Sequence, residues 1–96
     1  MADQPQARRY LIRGRVQGVG FRWFVEREAQ ALGIAGWVRN NPDSTVEVLA
    51  LGTFEQLNAL RACLERGPRA ARVDAVEQSE VRSVAGLSKF SIEGAW

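Results

Sequence analysis

The chain is expected to fold as an α+β sandwich, with two helices covering one face of an antiparallel sheet. Three observations lead there. Hydrophobic spacing switches between alternation and helical steps in the order β-α-β-β-α-β, with a short extra strand at the end. The 96 residues, 46% of them hydrophobic, suit one domain that buries a core without disulfide or metal support. No linker, repeat or low-complexity stretch interrupts them.

Residues 1–7 read as a flexible tail and residues 8–96 as the domain. From Arg9 to Val16 the pattern alternates, with Tyr10, Ile12, Gly14 and Val16 on one side and Arg9, Leu11, Arg13 and Arg15 on the other. A glycine-rich loop follows. Phe21, Phe24, Val25, Ala29 and Leu32 then recur at three- and four-residue steps, the apolar face of a helix. Gly33 ends that helix at the C′ position, and Ile34 folds back as its hydrophobic partner. Gly36 to Asn40 is a second strand and Val46 to Leu51 a third, joined as a hairpin by the turn Asn41-Pro42-Asp43-Ser44. Thr53 with Gln56 makes a capping box for the second helix. Phe54, Leu57, Leu60 and Leu64 are its expected buried stripe, and Gly67-Pro68 stops it. Val73 to Val81 is a fourth strand, and Phe90 with Ile92 marks a short last one. This order suits a ferredoxin-like sandwich, with the first and third strands side by side and the second beyond the third. The fold hosts many unrelated functions, so the site must be argued separately.

Composition narrows the function classes. Net charge is +2 with a pI near 9.3, and twelve of the 13 basic residues are arginines scattered among glutamates. That pattern argues against a nucleic-acid surface. One cysteine excludes an internal disulfide, and the absence of histidine makes a zinc site a poor expectation, so neither metal nor cofactor is expected. No apolar run is long enough to span a bilayer, and the polar opening Met-Ala-Asp-Gln lacks a signal-peptide core. A cytoplasmic monomer is the expectation, without membrane or nucleic-acid partners.

The most informative stretch is Gly14-Arg15-Val16-Gln17-Gly18-Val19-Gly20-Phe21-Arg22. A helix leaves its first four N–H groups without partners, and no Ser, Thr, Asp or Asn stands here to accept from one. Arg22 adds a cation where the helix dipole is already positive. An anion cradled by the glycine-rich backbone removes the conflict. The loop therefore reads as a phosphate cradle. The alternative is a tight β-to-α connection with Arg22 pairing to Glu26 one turn on. The spacing fits neither a P-loop nor a dinucleotide fingerprint.

Val16-Gln17-Gly18-Val19-Gly20-Phe21-Arg22 and Gly36-Trp37-Val38-Arg39-Asn40 together resemble the acylphosphatase family. Asp43-x-Thr45-Val46-Glu47, Gly67-Pro68, Ala71-Arg72-Val73 and Phe90-x-Ile92 extend the resemblance over residues 10–92. The resemblance implies hydrolysis of acyl phosphates to carboxylate and inorganic phosphate. It implies that Arg22 binds the phosphoryl group and that Asn40 orients the attacking water. Backbone N–H groups of Val16, Gln17, Gly18, Val19, Gly20 and Phe21 are then expected to hold the phosphate oxygens. One departure stands out: Ser44 occupies the turn position where the family usually has glycine, a strained choice if that position needs φ > 0.

The residues suit this chemistry. An acyl phosphate leaves as a carboxylate whose conjugate acid has a pKa of about 4, so no general acid is required. Positioning and charge stabilisation of a loose phosphoryl transition state suffice. Arginine meets two phosphoryl oxygens through its planar fork, and an asparagine carbonyl accepts from a water. Alternation puts Val38 and Asn40 on one face and Trp37, Arg39 and Asn41 on the other. Asn41 precedes Pro42, a turn role that leaves Asn40 the better candidate.

Other signals carry blander readings. Cys63 to Arg69 has the spacing of cysteine-dependent phosphatases, yet Cys63 falls inside the second helix as a small, partly buried side chain. The aromatics around Arg22 resemble an RNA-recognition motif but open a helix rather than lie on the third strand. Trp23 and Trp37 line the approach to the site or fill shallow surface, and Trp96 reads as an end residue. The rival function is a noncatalytic phosphate- or acyl-phosphate-binding module, since similar domains occur inside larger carbamoyl-phosphate-handling proteins. The lack of a second domain favours the free enzyme.

Overall fold

The computed structural model describes residues 5–82 and 86–94; residues 1–4 of the expected tail, and Trp96, lie outside the described residues. Its elements are β1 (Gln6–Arg15), α1 (Phe21–Leu32), β2 (Ala35–Asn40), β3 (Val46–Gly52), α2 (Phe54–Arg66), β4 (Arg72–Val81) and β5 (Phe90–Ile92). The strand order β4-β1-β3-β2-β5 sets β1 beside β3 with β2 beyond, the arrangement the element order requires. Neither helix is long and apolar enough to cross a membrane.

The structure corrects three details. First, β1 begins at Gln6, with Gln6 opposite Gly52 and Ala7 opposite both Leu51 and Val81. Gln6 and Ala7 therefore belong to the sheet rather than the tail. Strands on both sides offer backbone partners there, and pairing extends as far as they do. Second, the sheet is antiparallel except at one edge, where β5 runs parallel to β2 with Gly36 opposite Phe90 and Val38 opposite Ile92. No hairpin joins these two strands, because the chain arrives from β4 at the far edge, so their direction is not forced to reverse. Third, Phe54 is not part of the buried stripe. It is 56% exposed, in the first turn of α2, and the Arg8 guanidinium covers its ring at 5.4 Å.

The core lies between the sheet and the two helices. Tyr10, Ile12, Val38, Val46 and Val48 meet Phe21, Val25, Leu57, Leu60 and Leu64 there, all of them buried. Each such side chain contributes about 1.5–3 kcal/mol, against roughly 0–1 for an exposed ion pair, so burial decides the fold. The buried Tyr10 hydroxyl is satisfied, donating to the Leu57 carbonyl at 3.2 Å. Helix ends follow the punctuation in the sequence. Thr53 and Gln56 form a reciprocal capping box on α2, and the N–H groups of Gly33 and Ile34 close α1 onto Gln30 and Ala29.

Candidate active site

Two backbone features bring the predicted residues together. The loop between β1 and α1 turns through Gly18 and Gly20, at φ 74° and 78°, and starts the helix at Phe21. A Cβ at either glycine would meet nothing within 4 Å, so what these positions demand is the left-handed backbone rather than room. As the N-cap of α1, Gly20 offers no side-chain acceptor, and no acidic residue stands in the first turn. The orphan N–H groups of this turn therefore face an opening that no carboxylate of the turn fills. At the other side, β2 ends at Asn40, whose inward position beside Val38 leaves it 7% exposed.

These elements enclose a cleft of about 200 Å³ lined by Val16, Gly18, Gly20, Phe21, Arg22, Trp23 and Asn40. Both expected side chains, Arg22 and Asn40, are on its walls. Arg22 sits half-buried in the first turn of α1. No ion pair among the described residues includes it, and the alternative pairing with Glu26 does not form. A guanidinium, a helix N-terminus and two left-handed glycines border one small space, an arrangement whose charge favours an anion over a cation. Among the described residues, no group of three or more His, Cys, Asp or Glu could hold a metal ion.

Two of the expected loop residues, Gln17 and Val19, turn their side chains away from the cleft. The side chain of Val19 packs against the core, and that of Gln17 turns toward the hairpin. Gln17 Nε2 donates to the carbonyls of Asn41 at 2.8 Å and Thr45 at 2.9 Å. It thereby ties the glycine loop to the turn that follows Asn40. Sequence reasoning missed this clamp, because no periodicity links a loop amide to carbonyls 24 and 28 positions away.

The hairpin turn is itself tightly bonded. Asp43 Oδ1 accepts from the Thr45 N–H at 3.1 Å and from its hydroxyl at 2.6 Å, while Asn41 Nδ2 donates to that hydroxyl's oxygen at 3.1 Å. The Thr45 hydroxyl and then its N–H hold the Asp43 carboxyl below its ordinary pKa. Ser44 adopts φ 78°, the one positive φ outside glycine among the described residues. Asn41 thus belongs to the turn, and Asn40 to the cleft.

The outer face of β2 has a different role. The Arg39 guanidinium lies 4.7 Å from the centre of the Trp37 ring and donates to Glu47 at 3.0 and 3.2 Å. Arg9 donates to the other Glu47 oxygen. Burial alone would raise the Glu47 pKa, but the bonds from Arg9 and Arg39, with one from Asn41, outweigh it and hold the carboxyl below its ordinary value. Trp37 and Arg39 are therefore not part of the cleft, whereas Trp23 is. Cys63 lies inside α2 with Sγ 3.6 Å from Glu28 Oε1. Burial, reinforced by the Glu28 charge, pushes its thiol up, away from the reactive thiolate a phosphatase needs.

The acylphosphatase family profile matches residues 8–92. The acylphosphatase of Koribacter versatilis (strain Ellin345) is 54% identical over 96 residues, covering 100% of this chain and 87% of that protein. The crystal structure of acylphosphatase from Bacillus subtilis matches with a TM-score of 0.88 at 40% identity, over 92% of this chain and 98% of that one. T. kodakarensis HypF matches with a TM-score of 0.82 at 31% identity, over 94% of this chain but only 12% of its own. The two acylphosphatases are matched over most of their own length, which favours the hydrolase over the rival binding module. A family profile matched over residues 8–92 and 54% identity across the whole chain lead to one assignment: the chain belongs to the acylphosphatase family.

Proposed function

We propose that the cleft between the glycine loop and the end of β2 is where this protein carries out the family's reaction, the hydrolysis of acyl phosphates to carboxylate and inorganic phosphate. The loop N–H groups from Val16 to Phe21 and the Arg22 guanidinium hold the phosphoryl oxygens. Asn40 accepts from the attacking water through its side-chain carbonyl and aims it at phosphorus. The supporting observation is that Arg22, Asn40, Gly18 and Gly20 line one cleft.

Each group has a stated task. The phosphoryl transition state is loose, its charge spread over three equatorial oxygens, so preorganised donors lower the barrier. The departing carboxylate is stable as an anion at neutral pH, so the site needs no proton donor, metal or cofactor. Burial of Asn40 fixes its amide and keeps the water oriented. We further infer that the protein works as a monomer in the cytoplasm, without nucleic-acid or membrane partners. The small net charge and the pairing of Arg9, Arg13, Arg39, Arg61 and Arg72 with carboxylates support the absence of a nucleic-acid partner.

The division of labour is tested by comparing Arg22→Ala and Asn40→Ala for turnover and for inhibition by inorganic phosphate. Arg22→Ala is expected to lose about 10²–10³ in kcat and most of its phosphate affinity, the cost of removing one preorganised anion donor. Asn40→Ala should lose turnover and keep phosphate affinity, because its partner is water. Equal loss of phosphate affinity in both variants would contradict the assignment.

A further inference from the structure

A second groove, of about 400 Å³, opens beside the anion cleft. It is lined by Gly20, Trp23, Phe24, Glu26, Arg27 and Pro68, and shares Gly20 and Trp23 with the cleft. Asn40 and Arg22 line only the cleft. Trp23 is 74% exposed, although Phe21 and Phe24 on the same helix are buried. The other large exposed apolar side chain, Phe54, is covered by Arg8, whereas Trp23 has no ring or cation partner among the described residues.

We propose that this groove is the acyl subsite, and that Trp23 selects flat, uncharged acyl groups such as aryl groups. The inference deepens the reading above and rests on it. Attacking and leaving oxygens lie roughly in line across phosphorus, so a water held on the Asn40 wall sends the acyl group away from Asn40. The groove shares Gly20 and Trp23 with the cleft and is not lined by Asn40, so it offers space on a side of the cleft away from that residue. Phe24 and Pro68 give its lining an apolar part, and the exposed Trp23 indole offers a flat surface on which a planar group can stack. Glu26 and Arg27 place opposite charges on its rim, and Arg27 is further offset by Glu28 at 3.8 Å. The rim therefore offers no net positive charge to a second carboxylate on the substrate.

The test compares kcat/KM for benzoyl phosphate and acetyl phosphate in wild type, Trp23→Ala and Trp23→Phe. The benzoyl-to-acetyl ratio is expected to fall about three- to tenfold in Trp23→Ala and to recover in Trp23→Phe, the range that aromatic stacking supplies. A ratio that stays within about twofold of wild type in Trp23→Ala overturns the proposal. With the unsubstituted protein, benzoate is expected to inhibit more tightly than acetate, and equal inhibition also overturns it. The Arg22→Ala phosphate measurement separates the two levels. If it behaves as expected while the ratio does not move, the groove assignment alone fails. If Arg22→Ala leaves phosphate inhibition intact, the site reading beneath it fails first.

Discussion

Replacing Ser44 with glycine should stabilise the fold, and the turn geometry sets the size of the effect. Ser44 holds φ 78° in an exposed turn, where its N–H donates to the Asn41 carbonyl at 3.2 Å. That bond is made by the backbone and survives substitution. A left-handed conformation costs an L-residue about 1–2 kcal/mol through its Cβ. Glycine removes that cost but loses about 0.5–1 kcal/mol more backbone entropy on folding. The difference leaves Ser44→Gly more stable by about 0.5–1 kcal/mol, which in a chain of this size raises Tm by about 2–8 °C. Ser44→Ala is the control: it keeps the Cβ and should fall within about 0.5 kcal/mol of wild type. Thermal melts and urea titrations of the three proteins measure this directly. An equal gain in Ser44→Ala, or no gain in Ser44→Gly, would show that Cβ strain is not what the turn stores.

Two further predictions come from the residues that hold the site in place. Gln17→Ala removes two hydrogen bonds worth about 1 kcal/mol each, and both carbonyls it leaves keep backbone donors of their own. Because the clamp ties the loop to the turn beside Asn40, kcat should fall about tenfold with little change in KM; stability loss without a kinetic change would make it a fold contact only. Glu47, held below its ordinary pKa by Arg9 and Arg39, contributes stability that is present above the unfolded carboxyl pKa and is lost as pH falls through the folded one. Urea midpoints should therefore drop on acidification below about pH 4, and Glu47→Gln should flatten that slope. An unchanged acid slope in the variant would remove Glu47 from the account.

Local chemistry made most of this fold readable in advance. The capping box of Thr53 and Gln56, the left-handed stop at Gly33 and the alternation through Tyr10 and Ile12 act over a few residues, and the structure carries all three. What could not be read depends on distant partners. Phe54 continues the helical stripe of Leu57, Leu60 and Leu64, yet its turn reaches Arg8 instead of the core. The parallel pairing of β5 depends on where the chain goes after β4, which no local pattern encodes. In the cleft, the glycine loop and the uncapped helix start were visible as a local electrostatic conflict. The Gln17 clamp and the groove beyond Trp23 were not, since each exists only once the loop, hairpin and helix have met.

The most direct test of the central claim is the hydrolysis of benzoyl phosphate by the wild-type protein and Arg22→Ala, with a metal chelator present throughout. The account predicts undiminished wild-type turnover in chelator and a loss of about 10²–10³ in the variant. Turnover that the chelator abolishes, or that Arg22→Ala retains, would contradict a reaction carried by backbone donors and one guanidinium.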